Sequence, residues 1–426
     1  MRMNKKKEIV PKLRFPEFIG DKLKITKLGK ISSVVKEKAG ENKYTLMSVT
    51  SGVGLIPQAE KFGREIAGDS YKNYIVIRKY DFAYNKSATK QFPEGYISML
   101  GEYDIAAVPN SIFTCFRITD NESYPPFLDY LWHNNYHGHW LRKYIEVGAR
   151  AHGALSVDTK HLWSMPLALP DFKEQQKIAD CLSSIDDLID AESRKLKVLE
   201  KYKKGLMQKL LPAEGKTLPE WRFPEFQGCE EWETVKLEKL ALYRRGSFPQ
   251  PYGLPEWYDE KSGMPFIQVF DVDDNMKLKS NTKNKISELA AQQSVFIPKG
   301  TLIITIQGSI GRVAITQYDA YIDRTLLLFE KFFRKIDKTF LAYNLQLLFD
   351  IEKQKAPGGI IKTITKQALS EFLTSIPRIE EQEKIAGCLS EVDTMITEQS
   401  NKVEQLKAHK KGLMQGLFPS LEEADV

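Results

Sequence analysis

The stretch EQQKIADCLSSIDDLID at 174–190 returns as EQEKIAGCLSEVDTMIT at 381–397, 207 residues further on. Aligned without gaps, residues 170–212 and 377–419 agree at 22 of 43 positions, including KKGLMQ at 203–208 and 410–415. RFPEF also occurs twice, at 14–18 and 222–226. A repeat of this length constrains the architecture more than any local motif does. It describes a tandem duplication in which each unit is a globular stretch followed by the same helix. Residues 24–165 and 236–372, between the matched edges, have little sequence in common. Copies that keep their helices alike and let their globular parts diverge are expected where the helices fit a common frame and the globular parts bind different things.

The repeated segments carry a seven-residue apolar pattern. Its seam is Ile178, Leu182, Ile185, Ile189, Leu196, Leu199 and Leu206 in the first copy, and Ile385, Leu389, Val392, Ile396, Val403, Leu406 and Leu413 in the second. The polar interruptions coincide as well, Glu192 with Gln399 and Lys203 with Lys410. A 3.5-residue spacing held over five heptads predicts a left-handed two-helix coiled coil, bounded by Pro170 and Pro377 before and Pro212 and Pro419 after. Helices of about 36 residues would be roughly 54 Å long and pair antiparallel most simply.

With 426 residues, 42% of them hydrophobic, the chain exceeds a single ordinary core. No apolar run approaches the roughly 18 residues of a membrane span, and the lysine-rich start has no apolar stretch behind it, so a cytoplasmic protein is expected. Cys115, Cys181, Cys229 and Cys388 never take a CxxC spacing, which argues against a zinc site or a disulfide framework. Cys181 and Cys388, at matching places beside the seam, read as small buried apolar residues or as a redox or metal pair. The net charge of +6 is concentrated: residues 1–170 hold 25 Lys+Arg against 17 Asp+Glu. That balance suits a polyanionic partner without requiring one.

In the second globular part, IPKGTLIITIQGSIGRVAI reads as two strands around the turn 307–312. Gln307, Ser309 and Arg312 on that turn could meet a phosphate or a base edge, or belong to an ordinary hairpin. Arg244 and Arg245 open a second loop, and Lys362 lies in the glycine-rich stretch 357–364. Arginine reads guanine bidentately and glutamine reads adenine, so this inventory suits base readout. The first part offers Lys86 and Lys90 in YNKSATK, and Arg150 and His152 in GARAHG. Arg150 and Lys362 hold matching places before the helix. HNNYHGH at 133–139 would set His133 and His137 on one helix face at i, i+4, as a metal pair or as scaffold. No nucleotide-binding, metalloprotease, amino-methyltransferase or nuclease motif is present. The chain is read as a non-catalytic binder.

Taken together, PDFKEQQKIA and PRIEEQEKIA at the helix starts, KKGLMQ near their ends, the paired RFPEF lead-ins and the GSIGRVAI strand make the chain resemble the specificity, or DNA-recognition, subunit of type I restriction-modification systems. The resemblance implies an α+β protein with two α/β target recognition domains, 1–169 and 213–376. These would be joined by two spacer helices, 170–212 and 377–426 with the C-terminal tail, forming an antiparallel coiled coil in a pseudo-two-fold tandem duplication. Each domain would read one half of a bipartite asymmetric site in double-stranded DNA. The coiled coil would set the gap and dock two methyltransferase subunits. S-adenosylmethionine would belong to those partners, and ATP and magnesium to motor-nuclease subunits, with no cofactor in this chain. Residues 24–165 lack a clear counterpart of the GSIG strand. A coiled-coil scaffold joining two protein ligands, and a nuclease with an unrecognised site, are the competing readings.

Overall fold

Both repeated segments fold as single α-helices of 39 residues, Phe172–Leu210 and Ile379–Leu417, in a computed structural model that describes residues 10–50, 52–66, 68–86, 92–144, 158–355 and 364–419. Pro170 and Pro377 sit just outside the first turns, where a missing N–H costs nothing. The Asp171 carboxylate accepts the Lys173 N–H at 2.9 Å, satisfying one of the unpaired amides of the first helix.

Contacts divide the chain into two units, Met1–Glu192 with Lys402–Val426, and Ser193–Asn401. Each unit holds one globular part, half of the first long helix and half of the second. Within the first, Lys410 pairs with Asp186 at 2.5 Å and Lys402 with Glu192; within the second, Lys203 pairs with Asp393 at 2.6 Å. Numbers rise along one helix as they fall along the other, so the helix segments run antiparallel in both units. The charge order of the sequence favours this direction. Asp186, Asp187, Asp190 and Glu192 precede Arg194, Lys195, Lys197 and Lys201 in the first helix, while Glu391, Asp393 and Glu398 precede Lys402, Lys407 and Lys410 in the second. Antiparallel pairing sets acid against base; parallel pairing would set like against like. Of the seam residues, Ile178, Leu182, Ile189, Leu206, Ile385, Leu389, Val392, Ile396 and Val403 are buried, and Ile185, Leu196, Leu199, Leu406 and Leu413 are half-buried.

The lysines that interrupt the seam are held the same way in each unit. The Tyr130 hydroxyl donates to Asp186 and the Tyr343 hydroxyl to Asp393. The Lys410 ammonium lies 5.0 Å from the Tyr130 ring centroid, and that of Lys203 lies 5.3 Å from Tyr343. Each globular part thus fastens to its coiled coil through a tyrosine capping an interhelical ion pair.

The duplicated edges meet in space. Arg14 of the first RFPEF lead-in forks onto Glu174 through Nε at 2.8 Å and Nη2 at 2.6 Å. Arg222 does the same to Glu381 at 2.9 and 2.7 Å. Next in each helix, Gln175 and Gln382 donate to the carbonyls of Pro170 and Pro377. Strand Lys24–Lys27 pairs antiparallel with Pro166–Leu169, and Glu233–Lys236 with Leu373–Ile376, so each globular part begins and ends at adjacent strands.

Between these edges lie two four-stranded sheets of one order. Ser32–Val34, Phe113–Ile118, Phe82–Asn85 and Tyr96–Met99 form it in the first unit; Ala241–Arg245, Leu326–Phe332, Leu302–Thr305 and Val313–Ile315 form it in the second. The strands are apolar on both faces because each face has its own core, with alternate residues going to opposite sides. Leu302, Ile304, Val313, Leu327 and Phe329 pack toward the helices. Ile303, Ala314, Leu326 and Leu328 pack with Ile267, Val295, Ile297 and Ile322 of the second sheet in that unit. In the first unit Phe82 and Tyr84 join one core and Ala83 and Cys115 the other.

The expectation of a single helix face bearing His133 and His137 is overturned. One helix ends at His133, Asn135 takes a left-handed φ of 56°, and the next runs Tyr136–Leu141. Asparagine tolerates that conformation and so breaks the helix. In the second unit the corresponding helix, Lys338–Lys355, is unbroken.

Two outcomes are expected. Asp393→Lys sets two ammoniums together where both native side chains are only 12% exposed; it should lower the denaturation free energy by about 3–5 kcal/mol. Adding Lys203→Asp should recover most of that loss, with a coupling above about 1 kcal/mol in the double-mutant cycle. Separately, burial holds the His137 imidazole down to about 4. The unfolded chain takes up this proton near the ordinary value of about 6.5 and the folded unit does not, so the stabilisation is full above that pH and declines as pH falls to about 4. The denaturation midpoint should therefore fall more steeply across this window in the native chain than in His137→Gln.

Candidate nucleic-acid interface

The turn 307–312 joins Leu302–Thr305 to Val313–Ile315 in an antiparallel hairpin with Ile304 opposite Val313. Its tip, Gln307, Gly308 and Ser309, is exposed, while Ile310 and Gly311 are buried. The Thr305 hydroxyl accepts the Arg312 N–H at 2.9 Å and donates to the Ser309 carbonyl, and the Gly311 N–H bonds the Thr305 carbonyl at 2.9 Å. Gly311 has a φ of +80°, and a Cβ there would lie 2.7 Å from the Phe349 ring. Only glycine lets the turn lie this close to the helix. That helix, Lys338–Lys355, leads toward Lys362, which lies outside the described residues.

Cross-strand register sets Arg245 opposite Leu327, and Leu327 opposite Ile304, so Arg245 shares the end of the sheet from which the turn projects. Arg245 is exposed; Arg244 is engaged by Glu330 at 2.5 Å. Arg312 is half-buried, its Nε 2.8 Å from Asp274 and its Nη1 donating to the Val272 carbonyl at 2.9 Å. The neighbouring turn Gln268–Asp271 is locked by reciprocal bonds between side chain and backbone. Burial pushes the Asp271 carboxyl above the usual range, against the pull of the Lys283 and Gln268 N–H groups on its ionised form. Gln307, Ser309, Arg312 and Arg245 thus come to one end of one sheet, with Arg244 one residue back along its strand.

The shared sheet order supplies the counterpart that alignment could not. In the first unit the matching hairpin joins Phe82–Asn85 to Tyr96–Met99, with Asn85 opposite Tyr96. Its loop contains Lys86, which is half-buried, and Lys90, which lies outside the described residues. The loop closes at Gly95, whose φ is +83° and whose absent Cβ would lie 2.3 Å from the Asn85 carbonyl. Here too a helix pins the loop: His137 Nε2 meets the Gly95 carbonyl at 3.2 Å, and Arg142 pairs with the buried Glu94. Arg142 is followed by the segment holding Arg150 and His152, both outside the described residues. Sequence reading missed Gly95, Glu94 and Arg142, and named His137 without its contact to the Gly95 carbonyl. The FPEG turn before a β-type run was the available signal.

The described residues hold no group of three or more His, Cys, Asp or Glu able to bind a metal. The four cysteines are free, and burial pushes the Cys115 thiol up to about 12, far from a nucleophile. Among the described residues no helix is long and apolar enough to cross a membrane.

Comparison with known proteins places the geometry in context. The type I restriction modification DNA specificity domain matches twice, at residues 35–201 and 229–408. The chain is 28% identical over 309 residues to a Methanocaldococcus jannaschii protein described provisionally as the type I restriction enzyme MjaX specificity subunit, covering 70% of this chain and 68% of that one. It is 26% identical over 290 residues to the MjaVIII specificity subunit of the same organism, covering 64% and 65%. Among solved structures, the type I restriction-modification S subunit from M. genitalium aligns over 97% of this chain and all 100% of its own, with a TM-score of 0.59 at 13% identity. A chain solved in work on complex assembly and conformational transition of the type I restriction-modification system aligns over 93% and 97%, with a TM-score of 0.58 at 18% identity. With two copies of the domain spanning most of its length, the chain belongs to the type I restriction-modification DNA specificity family.

Proposed function

We propose that this chain is the DNA-reading subunit of a cytoplasmic type I restriction-modification complex, each globular part contacting one half of a split, asymmetric site in double-stranded DNA. The observation that carries the reading is the recurrence, on one sheet order, of a hairpin loop pinned by a following helix, with different side chains in each copy; in the sequence each of these helices is followed by a short stretch of small residues with a basic one among them. A shared scaffold presenting unlike loops suits two unlike half-sites. The residues assigned to contact are Gln307, Ser309, Arg312, Arg244, Arg245 and Lys362 in the second part, and Lys86, Lys90, Arg150 and His152 in the first. Arginine and lysine would supply salt-dependent phosphate contacts, and Arg or Gln at the loops would supply base readout.

The long helices would set the gap between half-sites and dock two methyltransferase subunits. Those partners would carry S-adenosylmethionine, and motor-nuclease subunits would use ATP and magnesium. This chain contributes placement. A base to be methylated must leave the stack, which requires a duplex held firmly on both sides.

Exchange of residues 236–372 for the corresponding part of another family member should change one half of the methylated motif in cells carrying the partner subunits, and leave the other half as it was. Mapping that finds both halves unchanged sinks the reading. One helical turn added to both long helices, about 5.4 Å, should widen the preferred gap by at most about two base pairs; retention of the original gap would refute the spacer role.

A further inference from the structure

The cation of the 307–312 turn is covered by a carboxylate that the fold takes trouble to hold there. Asp274 meets Arg312 through both oxygens, Nε to Oδ1 at 2.8 Å and Nη2 to Oδ2 at 3.2 Å. The carboxylate stands at the tip of a tight turn between the bridged residues Val272 and Leu278. Asp273 closes that turn by accepting the Asn275 and Lys277 N–H groups, each at 2.8 Å, and by donating its own N–H to the Lys277 carbonyl at 2.9 Å. Met276, whose side chain is buried, takes a φ of +58°, a conformation that an unbranched L residue adopts only under constraint. Strained backbone is thus retained where it fixes an acidic side chain beside a basic one.

The pair itself is weak by construction. The Asp274 side chain is 79% exposed and that of Arg312 28% exposed, so solvent screens their attraction. Both line a shallow cleft of about 510 Å³, with Phe270, Lys279, Gly308 and Ser309 on its other walls. A phosphate oxygen pair offers Arg312 the same forked geometry as the carboxylate it would replace. The guanidinium needs little reorientation for the exchange, because its Nη1 stays on the Val272 carbonyl.

We infer that Asp274 is a displaceable guard on Arg312. It occupies the guanidinium in the free protein, opposes loose association with any polyanion, and yields to a duplex backbone once other contacts have seated the DNA. The inference rests on the reading of the 307–312 turn as a DNA contact and adds a regulator to it. In physical terms, Asp274 lowers affinity for random duplex while leaving Arg312 pre-aimed.

The test measures equilibrium binding of the full-length chain to a random-sequence duplex for the native protein, Asp274→Asn, Arg312→Gln and the double variant, with thermal melting to confirm that each is folded. Removing the guard should tighten binding by about threefold to tenfold at low salt, and the gain should shrink as salt screens it. Arg312→Gln should weaken binding, and the double variant should match Arg312→Gln alone, because the guard acts through Arg312. Tightening that persists undiminished in the Arg312→Gln background would mean that Asp274 contributes only bulk negative charge, and would overturn the inference. So would unchanged or weaker binding by Asp274→Asn, with the DNA-contact reading intact if Arg312→Gln still weakens binding. An Arg312→Gln variant that binds as the native chain does would overturn both.

Discussion

A carboxylate buried in the first turn of each long helix must find a cation, and the one it finds ties the beginning of a globular part to its end. Glu174 and Glu381 keep only 1% of their side-chain surface. An ion in that position costs several kcal/mol unless a partner satisfies it with good geometry. Arg14 and Arg222 do so bidentately, the arrangement in which guanidinium and carboxylate bind best. Each arginine comes from the RFPEF lead-in and each glutamate from the helix start, with an entire globular part between them. Loss of either partner leaves a bare buried charge, so both motifs are held to one spelling. The intervening chain enters and leaves through adjacent paired strands and is free to differ.

That clamp explains why the duplication is so uneven along the chain. The edges have a common task, which is to close the equivalent strand pair and bond the preceding proline carbonyl through Gln175 or Gln382. The interiors have to deliver one tyrosine, Tyr130 or Tyr343, to an interhelical Lys–Asp pair, and beyond that only a sheet whose two faces are apolar. Many sequences do that, because alternation alone sends Ile303 to one core and Ile304 to the other. A module fastened at its edges and unconstrained in its loops is one that can be exchanged without disturbing the helices.

What the sequence makes legible follows the range of the interactions involved. Heptads, flanking prolines and the hairpin around Gly308 and Gly311 are local patterns, and the helices and the turn follow from them. The pairing of Arg14 with Glu174 spans 160 positions, and no periodicity in a single chain reveals it, although both halves stood out as repeated words. The loop holding Lys86 has no recognisable likeness to the 307–312 turn; only strand order shows that they correspond. HNNYHGH misled for a local reason. Its spacing suits one helix face, but Asn135 stops the helix, and His137 turns inward to hold the Gly95 carbonyl. Reading Asn135 as a left-handed residue would have broken the helix in the right place.

The arginines of the globular parts also look different once their partners are known. Arg117 is forked onto Asp81 and Arg78 onto Glu37, and Arg142 pairs with one oxygen of Glu94; in the second unit Arg312 is forked onto Asp274 and Arg244 pairs with Glu330. An arginine with its own carboxylate adds little to the net field that draws a protein to any polyanion, since affinity of that kind grows with the phosphates neutralised. It keeps its planar fork, and the carboxylate fixes where the fork points. A surface built from such pairs gives up sequence-independent attraction and retains directional donors. For a chain proposed to find one split site among many similar ones, that exchange raises the ratio of specific to random binding. On the proposed reading, Asp274 beside Arg312 therefore belongs to the recognition surface as much as the arginine does.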